Sequence, residues 1–133
     1  MGQAVLGCPA VIQLEGEGWR LAWRADFQPF SVLIGGQGWA AELTAAEATA
    51  LAAAVADLVN EHKALVDQLL VEESISLELE RAPWWLALEG DRQKWSLKGV
   101  LSPEAGQRAL EVSWSGAASA AFCQALQRIG GQP

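Results

Sequence analysis

Large apolar residues alternate with polar or small ones near the start of the chain. Trp19, Leu21 and Trp23 occupy one parity of an extended segment. Arg20 and Arg24 occupy the other parity. Successive side chains of a strand point to opposite faces of its sheet. The pattern therefore predicts a half-buried strand with its large apolar side chains inward and its arginines outward.

A glycine cluster separates two further apolar segments. Phe30–Ile34 and Trp39–Leu43 lie on either side of Gly35-Gly36-Gln37-Gly38. Such a cluster supplies the positive φ angles that a tight hairpin needs, so these segments are predicted to be paired strands. The apolar residues between Val11 and Leu14 add a strand before them. The first part of the chain thus predicts four antiparallel strands.

A helix follows directly. Thr44 and Glu47 have the spacing of a capping box, in which each side chain accepts a hydrogen bond from the backbone amide of the other residue. The helix is predicted to run from this cap to about Leu69. Spacings of four and three place six residues on one stripe of it. They are Leu51, Val55, Leu58, His62, Leu65 and Leu69.

The rest of the chain repeats this order. Four further strands are predicted from alternating or continuous apolar segments. They are Ile75–Glu80, Trp84–Leu88, Trp95–Leu101 and Leu110–Trp114. Ser115 is then predicted to cap a last helix, which Gly130-Gly131 ends and which buries three apolar residues. These are Phe122, Leu126 and Ile129.

The two parts correspond position by position. Trp19–Trp23 aligns with Trp84–Leu88, Leu43 with Trp114, and Leu51, Val55 and Leu58 with the three apolar residues of the last helix. We therefore predict an α+β fold of two pseudo-repeated β-β-β-β-α units, at about 10–70 and about 74–130, within a single domain spanning residues 1–133. One unit cannot cover its own apolar sheet face, whereas two together can.

Composition narrows the classes of function. With 133 residues, 51% of them hydrophobic, the chain can bury one core. Its formal charge of -7 comes from 16 acidic and nine basic residues, which opposes a general attraction to phosphates. Cys8 and Cys123 form neither a disulfide framework nor a metal-ligand spacing. No apolar segment is long enough to span a membrane, so we predict a cytoplasmic protein with no membrane contact.

Several segments resemble a small family of uncharacterised cyanobacterial proteins. The similar segments are Gly18–Leu21, Gly35–Thr44, Glu72–Glu80 and Leu110–Trp114. The resemblance covers nearly the whole chain. It implies a fold like that of the Whirly-type single-stranded-DNA-binding transcriptional regulators, which also contain two four-strand-plus-helix units. It implies no catalytic residues.

Residues capable of catalysis do not assemble into a site in the sequence. His62, the only histidine, lies on the apolar stripe of the long helix and is predicted to be a packed residue rather than a general base. Glu78 and Glu80 have the outward parity of their strand, and Glu72-Glu73 precede it, so solvated carboxylates are favoured over a metal site. The glycine cluster lacks the Lys-Ser/Thr of a phosphate loop. We predict no catalytic residue, cofactor or metal.

Five outward side chains form the candidate binding surface. They are Arg20, Arg24, Trp85, Lys94 and Lys98. Six of the seven tryptophans share the inward parity, so Trp85 alone does not make the stacking platform of a single-strand binder. Outward glutamates on neighbouring strands predict cross-strand charge pairing rather than a phosphate track.

The sequence favours a non-enzymatic binding or assembly module that acts through contacts with an unknown protein partner. The alternative is a single-stranded nucleic-acid-binding or transcription-regulator-like protein, which the fold resemblance suggests and the net charge disfavours. Because one chain carries both units, either a monomer or a homodimer is expected.

Overall fold

Each half of the chain forms a four-stranded antiparallel sheet in which the strands follow one another in chain order. The computed structural model describes residues 11–70, 73–104 and 108–129. Sheet A consists of β1 (Val11–Gly16), β2 (Trp19–Arg24), β3 (Val32–Gly36) and β4 (Trp39–Leu43). Sheet B consists of β5 (Ile75–Arg81), β6 (Trp84–Gly90), β7 (Trp95–Leu101) and β8 (Leu110–Trp114). The predicted α+β fold of two β-β-β-β-α units is confirmed.

The β1–β2 and β3–β4 hairpins of sheet A share one local pattern. Both turns have two residues, the second a glycine with positive φ: 81° at Gly18 and 79° at Gly38. A tryptophan follows each turn, and its indole lies against the glycine three positions earlier, so that a Cβ there would collide with the ring. β3 begins two residues later than predicted and continues through Gly36, because this pattern leaves only Gln37 and Gly38 for the turn.

The first helix, α1, spans Ala45–Val66 and begins as predicted. The Thr44 amide donates to Glu47 Oε1 at 2.9 Å, and the Glu47 amide donates to Thr44 Oγ1 at 3.1 Å. This reciprocal pair is the expected capping box. The helix ends three residues before the predicted end, where the Arg92 guanidinium donates to the carbonyls of Val66 and Leu69. A side chain from a turn of sheet B thus satisfies the carbonyl of the last residue of α1 and a carbonyl in the segment that follows it.

The second helix, α2, spans Ala117–Ile129, so the prediction that Ser115 caps it is wrong. Gly116 lies directly before the helix with a φ of 58° and takes the place of the cap. Ser115 contributes its carbonyl instead, which accepts from the Ala118 amide at 3.2 Å. The predicted glycine stop at residues 130–131 lies outside the described residues. Within the described ranges, neither helix is long and apolar enough to cross a membrane.

The helices exchange partners between the halves. α1 packs mainly against β5 and β6 of sheet B, although it follows sheet A in the chain. α2 packs mainly against β2 of sheet A, although it follows sheet B. The two helices also contact each other. Each sheet is therefore covered chiefly by the helix of the opposite half, so a unit by itself would leave most of its apolar sheet face uncovered.

Strand registers support the sequence alignment of the repeats. Leu21 pairs with Ile34 between β2 and β3, and Leu86 pairs with Gly99 at the equivalent positions of β6 and β7. Val32 pairs with Leu43 between β3 and β4, and Leu97 pairs with Trp114 at the equivalent positions of β7 and β8. The two units therefore share one pattern of strand pairing.

Two buried tryptophans connect the halves. Trp84 is 1% exposed, and its Nε1 donates to the Glu47 carbonyl at 2.9 Å. Trp114 is 3% exposed, and its Nε1 donates to the Gly35 carbonyl at 2.8 Å. The Trp114 ring stacks on Phe122 with ring centres 3.9 Å apart. Buried indoles need a partner for the N–H, and both find it in the opposite half.

Candidate binding surface

The five outward residues predicted as a binding surface are divided between the two sheets. Arg20 and Arg24 lie on the outer face of β2 in sheet A. Trp85 and Lys98 lie on the outer faces of β6 and β7 in sheet B. Lys94 lies in the turn before β7, where its backbone amide donates to the Asp91 carboxylate at 2.7 Å. They therefore do not form one surface.

The arginines border a cleft on the outer face of sheet A, which we call the sheet A cleft. Its volume is about 280 Å³, and its lining includes Arg20, Arg24, Phe27, Phe30 and Ser31. The Arg24 guanidinium carbon lies 3.6 Å from the centre of the Phe27 ring, an arrangement that favours a cation over an aromatic face. Phe27 itself is 43% exposed. The cleft thus combines cations with an accessible aromatic ring.

Arg20 lies flat across the backbone of β3. Its Cγ is only 3.0 Å from the position that a Cβ on Gly35 would occupy, so a side chain at Gly35 would displace it. Glu15 is the cross-strand neighbour of Arg20. Among the residues that the structure describes, however, neither Arg20 nor Arg24 forms an ion pair. Within residues 11–70, 73–104 and 108–129, no carboxylate therefore neutralises either guanidinium.

Arg108 contacts Phe30 and Glu42, two residues that line this cleft, and was not singled out from the sequence. Its guanidinium carbon lies 4.5 Å from the Phe30 ring centre, and its Nη2 donates to the Glu42 carbonyl at 2.8 Å. Arg108 also forms an ion pair with Glu47. Burial alone would raise the pKa of the Glu47 carboxyl, but hydrogen bonds from Arg108 and Thr44 outweigh that effect and lower the pKa. No periodic pattern surrounds Arg108, so only the tertiary structure reveals this role.

A buried hydroxyl lies in the same region. Ser31 is 4% exposed, and its Oγ has no hydrogen-bond partner among the described residues. The Ser31 carbonyl accepts from the Arg24 amide at 2.8 Å, which fixes the backbone beside the cleft. Buried hydroxyls usually find a partner. Ser31 therefore has unused hydrogen-bonding capacity at the lining of the cleft.

The outer face of sheet B has a different character. The Trp85 Nε1 donates to Glu78 Oε1 at 3.3 Å, and Lys98 Nζ lies 5.9 Å from the centre of the Trp85 ring. Exposed carboxylates surround this pair. They belong to Glu78, Glu80, Glu89 and Glu111. A single tryptophan engaged by neighbouring side chains, on a mainly acidic face, does not provide a track for phosphates.

His62 is packed, as predicted. It is 4% exposed, its Nε2 lies 3.3 Å from the Asp91 carbonyl, and its ring centre is 5.7 Å from that of Trp95. Cys123 is buried, and burial raises the pKa of its thiol to about 12. Cys8 and Glu72 lie outside the described residues. Across residues 11–70, 73–104 and 108–129, no three His, Cys, Asp or Glu side chains are grouped to hold a metal ion.

Comparison with known proteins agrees with this architecture. A family model described as a domain of unknown function, DUF1818, matches residues 14–129. A solved structure from Prochlorococcus sp. NATL2A, described as a protein with unknown function from the DUF155 family, is 38% identical and has a TM-score of 0.84. The similarity covers 89% of this chain and 97% of that one. No curated protein matches the chain. The neighbour supports the predicted resemblance to uncharacterised cyanobacterial proteins.

Proposed function

We propose that this chain, which belongs to the DUF1818 family, is a non-enzymatic binding or assembly module that acts through protein contacts. The observation that carries the proposal is the sheet A cleft. It presents two guanidiniums without ion-pair partners in the described part of the chain, next to the exposed ring of Phe27. Arginine and aromatic side chains are enriched where proteins bind one another.

The charge of the cleft indicates the kind of partner. Arg20 and Arg24 are four residues apart on one strand, so their Cα atoms are separated by roughly 13 Å. A partner segment with two suitably spaced carboxylates would pair with both arginines and cover Phe27. Glu15 and Glu42 also line the cleft, and their carboxylates would repel a partner surface that is negatively charged throughout. We therefore infer a cytoplasmic protein partner with an acidic and apolar contact surface.

A charge-reversal experiment tests this proposal. Quantitative affinity capture with wild-type protein is compared with the Arg20→Glu/Arg24→Glu double variant and with Arg128→Glu, an exposed charge on α2 outside the cleft. We expect the double variant to lose a specific partner that both other proteins retain. Trp85→Ala tests the sheet B face in the same assay. Equal capture by all four proteins, or no reproducible partner with folded wild-type protein, contradicts the proposal.

The second candidate function is binding of single-stranded nucleic acid within a Whirly-like fold. Its support is the doubled four-strand-plus-helix plan and the outward position of Arg20 and Arg24 on one strand. The net charge of -7 and the inward tryptophans weigh against it. We rank it below the protein-binding function for those reasons.

Fluorescence anisotropy separates the two functions. With labelled single-stranded DNA at low salt, a nucleic-acid binder gives micromolar or tighter binding that weakens as the salt concentration rises. Arg20→Glu/Arg24→Glu would then abolish the signal and Arg128→Glu would leave it unchanged. If anisotropy stays constant at high protein concentration, the nucleic-acid function is excluded.

A further inference from the structure

A groove lies between α1 and α2 on the side of the molecule that carries the start of β7. Its volume is about 490 Å³, within the range of roughly 300–1,000 Å³ that is typical of small-molecule sites. Both helices contribute to its walls, and Trp95 contributes from β7. We call it the interhelix groove. It shares no lining residue with the sheet A cleft.

The groove has an apolar interior. Val59 and Trp95 are partly buried hydrophobic residues packed against the core, and the Cys123 thiol is buried beside them. Because burial raises the pKa of Cys123 to about 12, this thiol is uncharged at neutral pH. His62 also lines the groove, with its Nε2 occupied by the Asp91 carbonyl at 3.3 Å. The interior therefore suits an apolar body.

The charges around the groove have one sign. Lys63 and Arg92 line it, and no carboxylate of the described residues does so. This is notable in a chain with 16 acidic and nine basic residues. The hydrogen bonds of Arg92 to the carbonyls of Val66 and Leu69 hold its guanidinium at the end of α1. An anionic group entering the groove thus meets a fixed cation and a second cation on a flexible side chain.

We propose that the interhelix groove binds a small molecule with an apolar body and one anionic head group, such as an aliphatic carboxylate. The apolar body lies over Val59, Trp95 and Cys123. The head group lies between Lys63 and Arg92. Asn60 and Gln124, which also line the groove, provide amide groups for further hydrogen bonds to it. This site is independent of the protein-binding function assigned to sheet A.

One fluorescent probe and two competitors of opposite charge test the site. Anilinonaphthalene sulfonate has an aromatic body and a single sulfonate, and its fluorescence rises in an apolar site. We expect one saturable site on the folded protein. Decanoate should displace the probe, whereas decyltrimethylammonium, which has a chain of the same length and the opposite charge, should not. Equal displacement by both, or no saturable binding, overturns the proposal.

Variants locate the binding. Lys63→Glu reverses an exposed charge and should weaken the probe's affinity by about tenfold, the scale of one close charge interaction. Ala120→Phe fills the groove from α2 and should abolish binding. Arg128→Glu is the matched control outside the groove and should bind like wild type. If Lys63→Glu and Ala120→Phe both keep wild-type affinity while folded, the proposed site is wrong.

Discussion

Arg108 and Glu47 form a two-point ion pair across 61 residues of sequence. The Arg108 Nη2 lies 2.6 Å from Glu47 Oε1, and Nη1 lies 3.2 Å from Oε2. The same carboxylate accepts from the Thr44 amide, and the Glu47 backbone carbonyl accepts from Trp84. Glu47 thus joins the cap of α1, the loop before β8 and the core of sheet B. Loss of the Arg108 side chain and protonation of Glu47 should therefore each lower the stability of the protein.

Arg108→Met should lower the free energy of unfolding by about 2–3 kcal/mol, because it leaves a largely buried carboxylate without its cation. Urea denaturation measures the change. Arg81→Met is the matched control: its ion pair with Asp57 at 2.6 Å joins side chains that are 42% and 57% exposed. That control should lose no more than about 1 kcal/mol. Equal effects of the two substitutions would contradict the role assigned to Arg108.

Acidification should remove the stabilisation by Glu47. The pKa of Glu47 in the folded state lies below its ordinary value of 4.5. Its contribution is therefore fully present above that value and is lost as the pH falls through the folded-state pKa. Arg108→Met removes the hydrogen bonds and the charge of Arg108, so that only the hydrogen bonds from Thr44 oppose the effect of burial on the pKa of Glu47. The difference in Tm between wild type and this variant should therefore narrow as the pH falls below about 4.5. A difference that stays constant or widens would refute this account.

Gly99→Ala should destabilise the protein by about 1–3 kcal/mol, although alanine is usually better than glycine within a strand. A Cβ at Gly99 would lie 2.8 Å from Leu86 Cδ2 and 3.3 Å from Val112 Cγ2. Leu86 is completely buried and Val112 is 3% exposed, so neither can move aside freely. Thermal unfolding measures the effect, and Ser76→Ala on the exposed side of β5 is the control. An increase in Tm for Gly99→Ala would show that the core can adjust.

Neither half should fold without the other. A fragment ending at residue 72 contains sheet A and α1, but α1 packs mainly on sheet B. A fragment beginning at residue 73 contains sheet B and α2, but α2 packs mainly on sheet A. Circular dichroism should show no cooperative unfolding for either fragment alone and a cooperative transition for their equimolar mixture. A cooperative transition in a single fragment would contradict the importance of the exchanged helices.

Local features of the fold could be predicted from the sequence, because alternation, turn glycines and the capping box act over a few residues. The strands of both sheets and the start of α1 follow from such patterns. The sequence predicts Ser115 as the cap of α2 because serine is a common N-cap, whereas nothing around Gly116 indicates its φ of 58°. β3 was shifted by two residues because both its glycines belong to the strand rather than to the turn.

Tertiary relationships could not be predicted in this way. The exchange of helices depends on which apolar faces meet, and hydrophobic periodicity identifies a face without its partner. Alternation along the strands correctly predicts the outward parity of four residues of the predicted surface, Arg20, Arg24, Trp85 and Lys98. It cannot show that these residues are divided between two sheets. The cation–aromatic contact of Arg24 with Phe27 and the ion pair of Arg108 depend on loops that have no periodic pattern.

The paired positions in the cores of the two sheets indicate how far the repeats have diverged. In sheet A, Ile34 faces Ala41; at the equivalent positions of sheet B, Gly99 faces Val112. The larger residue of the pair lies on β3 in sheet A but on β8, the equivalent of β4, in sheet B. The two sheets therefore differ in shape at these positions, and each half packs against the shape of the other half rather than against its own. We expect a symmetric dimer of either half to pack less well than the single chain.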